Sequence, residues 1–145
     1  MESKKIIFLD FDGVLHPNGC EEYLEFCRLK YVEKTLKPFL GEWKIVISSN
    51  WKNMYKLETI RNFFSDDIKD YIIDVTPTSK TGTSRRGEEI EKYILDNNVE
   101  KYIIIDDIFK YLLPKQKKYA VITDSNKCFT NKSRNKFLKI IKMLK

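Results

Sequence analysis

The sequence predicts a doubly wound α/β fold, a five-stranded parallel sheet with helices on both faces. Five short runs are apolar almost throughout, as strands covered on both faces are. Between them lie segments whose apolar residues recur at helical spacing. That alternation implies parallel strands joined by right-handed crossovers. Acids or hydroxyls also stand directly after several of the runs, and ligands of such sheets bind outside the carboxyl ends of the strands.

The first run is Ile6, Ile7, Phe8 and Leu9, followed at once by Asp10, Phe11, Asp12, Gly13 and Val14. Side chains alternate along a strand, so Asp10 and Asp12 are expected on one side with Phe11 turned away. Two acids at a strand end are costly unless they share a cation or a proton. The pattern suits magnesium, which takes oxygen ligands from one or two carboxylates and from substrate phosphate. The second run, Ile45 to Ile47, ends in Ser48, Ser49, Asn50 and Trp51. The third is residues 71–75. The fourth, Tyr102 to Ile105, ends in Asp106 and Asp107, and the fifth is residues 119–122.

Helices are expected between these runs. Residues 21–40 are helical in part and stop near Pro38 and Gly41. Residues 55–64 carry Leu57, Ile60, Phe63 and Phe64 on one face. Residues 88–97 carry Ile90, Tyr93 and Ile94, with Asn97 and Asn98 as a stop. The tail shows Phe137, Ile140, Ile141 and Leu144 as an amphipathic stripe, with lysines opposite. His16, Pro17, Asn18 and Gly19 read as a turn over the first strand end.

At 145 residues the chain reads as a single domain spanning 1–145. Its three cysteines lack metal-ligand spacing and suit a reducing, cytoplasmic setting. With one histidine, a His/Cys zinc site is not expected. The first apolar run is too short for a signal peptide or a membrane span, so no membrane partner is expected. The net charge of +6 raises the local concentration of phosphate-bearing partners.

The run of Asp10, Phe11, Asp12, Gly13, Val14 and Leu15 resembles the first motif of the haloacid dehalogenase (HAD) superfamily, most of whose members are phosphatases. The resemblance implies sheet order 5-4-1-2-3, Asp10 as the nucleophile and Asp12 as the general acid and base. It implies a strand-end hydroxyl that binds phosphate. Ser49 is the choice because Asn50 follows it, and Ser48 is the alternative. Asp107 and Asp106 after the fourth strand would complete a magnesium shell with Asp10 and the main-chain carbonyl of Asp12. A cation near the start of the helix before that strand is expected to be Arg86, then Arg85, with Lys80 also eligible. Receiver domains instead place the acid pair first, and dehalogenases of the class lack the second aspartate.

HAD specificity usually comes from cap insertions. Neither the stretch from Gly13 to Glu42 nor that from Thr76 to Ser84 is long enough to hold one, so the site is expected to be open and capless. The pattern from Asp10 through Ser48, Ser49, Asn50, Trp51 and Lys52, then Arg85, Arg86 and Gly87, then Asp106, Asp107 and Thr123, resembles the small HAD domains associated with RNA-repair proteins. It departs from them in the inserted Asn50, in Lys52 for arginine, and in Cys128, Phe129 and Thr130 for Gly-Leu-Thr. The resemblance implies a magnesium-dependent phosphohydrolase acting on RNA or DNA terminal phosphates or nucleotides. A capless phosphatase of phosphoproteins or small metabolites is the alternative, and a non-catalytic binding module a further one. Asn50, Trp51, Lys52 and Lys80 are the expected substrate contacts.

Overall fold

The structure, a computed structural model, describes residues 4–79 and 85–145. The sheet holds β1 (Lys4–Leu9), β2 (Lys44–Ile47), β3 (Ile72–Val75), β4 (Val99–Asp106) and β5 (Ala120–Ile122). All neighbours pair in parallel, in the order β3-β2-β1-β4-β5. This is the expected order read from the other edge. The helices are α1 (Leu29–Leu36), α2 (Leu57–Arg61), α3 (Arg86–Asn97) and α4 (Asn131–Met143).

Alternation along β1 divides the interior into two cores. Ile7 and Leu9 join Ile45, Ile47 and Ile105 beneath Leu36 of α1, Ile60 of α2 and Phe137 of α4. Ile6 and Phe8 point the other way, with Val46 and Ile104, against Ile90 and Tyr93 of α3. Burying an aliphatic or aromatic side chain of this kind contributes about 1.5–3 kcal/mol, so β1, wholly buried from Ile6 onward, anchors both layers.

Element boundaries depart from the sequence reading in places. β4 starts at Val99 because Val99 and the charged Lys101 pair with Lys4 and Lys5 at the start of β1, with Glu100 at an irregularity in the register. α2 opens only at Leu57, since the amide of Tyr55 is already bonded to the Trp51 carbonyl. The acids after β4 lead into a 3-10 turn, Phe109–Tyr111. The β1–β2 crossover contains α1 and the short 3-10 turns Glu22–Leu24 and Lys37–Phe39, and among the described residues no cap domain covers the strand ends. No described helix is long and apolar enough to cross a membrane.

Candidate active site

Strand register determines which residues meet at the carboxyl edge. Phe8 lies level with Val46 and with Ile104, all on the α3 side of the sheet. Two residues further along each strand come Asp10, Ser48 and Asp106, which keep that face because the ladder continues past the strand ends. The Asp10 amide bonds the Ile105 carbonyl at 3.0 Å, and the Ser48 amide bonds the Leu9 carbonyl at 2.9 Å. α3 begins on the same face, so its first residue, Arg86, is delivered to the acids. Its Nη1 lies 3.1 Å from Asp10 Oδ1 and 2.7 Å from Asp106 Oδ2. Gly87 allows this approach, because a Cβ there would stand 2.7 Å from the Leu113 amide nitrogen.

Asp10, Asp106 and Asp107 each offer an oxygen within 4.8 Å of the others. Burial, reinforced by the nearby Asp106 charge, holds the Asp10 carboxyl well above the usual carboxylate range despite Arg86. Burial likewise pushes Asp106 up to about 6, against the pull of Arg86. Asp10 and Asp106 are buried and Asp107 is half-buried, so one guanidinium leaves the three carboxylates short of positive charge, and a hard divalent cation suits that donor set. Asp106 already has both oxygens engaged, by Arg86 and by the Ile108 amide at 3.0 Å. Asp107 accepts from Ser125 Oγ at 2.8 Å through one oxygen. Gly13, at φ +79°, lies so close that a Cβ would stand 2.2 Å from Asp107 Oδ2.

Asp12 has a different environment. His16 Nε2 lies 2.8 Å from its Oδ1, and the indole nitrogen of Trp51 donates to the same oxygen at 3.1 Å. The Phe26 amide donates to His16 Nδ1, which leaves the ring proton of neutral His16 on Nε2 and makes that nitrogen a donor to Asp12. The His16 contact, with Trp51 in support, holds Asp12 below the usual carboxylate range. Both donors engage Oδ1, so Oδ2 is the oxygen left to exchange a proton.

Two expected substrate contacts occupy the interior. Trp51 is 8 % exposed and packs edge-on against Phe11 and Phe26. It therefore positions Asp12 and does not stand as a platform for a base. Lys52, its side chain 2 % exposed, donates to Thr76 Oγ1, the Pro77 carbonyl and Glu89 Oε1. Those three bonds exhaust the donors of an ammonium. Lys52 ties β2 to the β3–α3 crossover and has no donor left for a phosphate. Burial lowers its pKa, and the Glu89 hydrogen bond opposes that shift.

The two serines also separate. Ser49, the expected phosphate-binding hydroxyl, accepts from the Trp51 amide at 3.2 Å and caps the 3-10 turn Asn50–Asn53. Ser48 is fully buried on the Asp10 face, and its Oγ has no hydrogen-bond partner among the described residues. Of the two hydroxyls, that of Ser49 is thus engaged and that of Ser48 is not. Asn50 lines the site pocket. Arg85 pairs with Glu88 one turn along α3. Lys80 lies outside the described residues.

Asn18 and Ser125 complete the rim, and sequence reasoning did not single them out. Asn18 lines the pocket, and its amide bonds the Ser125 carbonyl at 3.0 Å. Only the turn-forming composition around each marks it in the sequence. The pocket itself measures about 90 Å³.

This edge is that of a HAD-type domain: acids after β1 and β4, a hydroxyl after β2 and a cation opening the helix before β4. The model of the family described as the HAD domain in Swiss Army Knife RNA repair proteins matches residues 6–133, and the chain belongs to that family. No curated protein and no solved structure matches it.

Proposed function

We propose that the chain is a magnesium-dependent phosphohydrolase that works through an aspartyl-phosphate on Asp10, with nucleic-acid terminal phosphates as substrates. The observation that carries this reading is the group of buried Asp10 and Asp106 with half-buried Asp107 around Arg86, beside an Asp12 held by two N–H donors. Asp10, Asp107 and the Asp12 main-chain carbonyl would hold the ion, with Asp106 beside them. When bound, the ion offsets the repulsion between the carboxylates and an incoming phosphate and draws charge off the phosphoryl oxygens.

Arg86 and the Phe11 amide both engage Asp10 Oδ1. Oδ2, with no hydrogen bond among the described residues, attacks phosphorus in line. As the bond to the leaving oxygen breaks, Asp12 Oδ2 delivers its proton to that oxygen. The donors on Oδ1 favour ionised Asp12 in the empty site, and the negative charge of an arriving phosphate favours the protonated form. The carboxylate formed then takes a proton from the water that attacks the aspartyl-phosphate, which releases phosphate and regenerates Asp10. Ser48 Oγ and Arg86 stabilise charge on the phosphoryl oxygens.

Three features support a nucleic-acid substrate: the RNA-repair context of the family, the net charge of +6, and a pocket that accepts the phosphoryl group and leaves the rest of the substrate outside. The test is turnover of phosphate-terminated oligonucleotides, phosphopeptides and sugar phosphates, with an aryl phosphate as reference. Wild type should need magnesium, and Asp10→Asn should lose turnover by orders of magnitude while keeping its fold. Wild-type rates from Asp10→Asn in saturating metal would refute the covalent route. Preference for phosphopeptides would overturn the substrate class and leave the chemistry standing.

A further inference from the structure

A large concavity lies at the outer edge of β5. It measures about 700 Å³, and Lys117, Lys127, Lys132 and Lys136 line it. They come from three separate segments: the 3-10 turn Pro114–Tyr119, the β5–α4 loop, and α4. Lys115, Lys92 and Lys37 each pair with a carboxylate. None of the four groove lysines forms an ion pair among the described residues. The one acid in the lining, Asp124, accepts from the amides of Asn126 and Lys127 through Oδ1. Phe109, an exposed ring, stands among the cations with the Lys117 ammonium 4.6 Å from its centroid.

No residue lines both the groove and the acid site, but the segment that follows β5 touches both. Thr123 lines the groove, and its Oγ1 donates to the Gly13 carbonyl at 2.7 Å. Two residues on, Ser125 touches Asp107. We infer that this groove carries the backbone of a single-stranded nucleic acid whose terminal phosphate lies at Asp10. The inference rests on the substrate reading above and replaces Lys52 as the source of backbone contacts. Uncompensated cations lining a concave track, with an aromatic among them, are what a single strand requires. Lysines also guard sheet edges against pairing, but that role needs neither a concavity nor a connection to the acids.

The test is binding, read by fluorescence anisotropy with a labelled single-stranded oligonucleotide bearing a terminal phosphate. Lys127→Glu/Lys132→Glu is compared with Lys56→Glu/Lys92→Glu, which changes net charge equally on other elements. The groove variant should lose about tenfold or more in affinity at low salt, and its salt slope should shrink by about 1.4, the value for two single-strand phosphate contacts. The control should stay close to wild type. In wild type, the oligonucleotide should protect the groove lysines from acetylation, a readout that needs no variant. Equal losses in both variants, no loss in the groove variant, or equal competition by polyglutamate of matched charge would each overturn the groove. Turnover of the short aryl phosphate is measured in parallel on wild type. If wild type hydrolyses it but binds no strand, the groove fails and the phosphatase chemistry stands. If it hydrolyses nothing, the underlying reading fails.

Discussion

Trp51→Phe tests whether the indole N–H acts on catalysis through Asp12. The substitution removes a donor 3.1 Å from Asp12 Oδ1 and keeps an aromatic ring among Phe11, Phe26 and Phe63. The His16 donor remains. A hydrogen bond to a charged group contributes roughly 1.5–3 kcal/mol, against about 0.5–1.5 kcal/mol for a neutral one. The indole therefore favours the carboxylate over the carboxylic acid by about 1–1.5 kcal/mol. With the proton about half transferred at the transition state, roughly 0.5–0.75 kcal/mol is expressed, a two- to fourfold fall in kcat.

The loss should depend on the leaving group. An alkyl alkoxide needs the proton, whereas a nitrophenolate leaves without it. Turnover of an alkyl phosphate should fall about two- to fourfold in Trp51→Phe, and that of nitrophenyl phosphate should hardly change. In an Asp12→Asn background the second substitution should have no further leaving-group-dependent effect, because residues that act as a unit are not additive. Circular dichroism and a melting curve control for loss of packing. An equal fall on both substrates, or the same fall without the Asp12 carboxyl, would refute the positioning role.

The remaining predictions concern the hydroxyls and the acids. Ser49→Ala should cost about 1 kcal/mol of stability through the lost cap on the Trp51 amide. Ser48→Ala breaks no bond among the described residues, so its melting temperature should hold while KM for phosphate esters rises; the reverse pattern would return the phosphate role to Ser49. Asp106 is raised from 3.8 to about 6. Its contribution to metal-free stability is therefore complete below the unfolded value and lost as pH rises through about 6. Metal binding requires ionised carboxylates, so magnesium should raise the melting temperature more at about pH 8 than at about pH 5. An equal or larger rise at the acid pH would argue against these acids as the metal site.

The sheet was legible because its strands are buried on both sides, which leaves nearly unbroken apolar runs. The acids were legible because they follow such runs directly. The surroundings of Asp12 were not, since Trp51 lies 39 positions away and meets Asp12 only through the β1–β2 crossover. Lys52 read as a surface cation for the same reason: its partner Glu89 is 37 positions on. The groove lysines are spread over residues 117–136 in a chain rich in lysine, and only the fold of the β5–α4 region gathers them. The choice between Ser48 and Ser49 rested on the neighbouring Asn50, whereas face is decided by register.

Register also explains why so short a chain can assemble the site. Phe8, Val46 and Ile104 bury their side chains against α3. Continuing each strand by one alternation brings Asp10, Ser48 and Asp106 to that same face, beyond the last apolar layer. The helix that covers the layer opens with Arg86, so its first side chain meets the acids with no loop built for the purpose. A one-residue slip of β2 against β1 would turn Ser48 into the opposite core and present Ser49 to the acids. The register that completes the α3-side core is thus the same one that leaves a buried hydroxyl with no partner among the described residues beside Asp10, and stability of that core and placement of the hydroxyl cannot be separated by moving the strand.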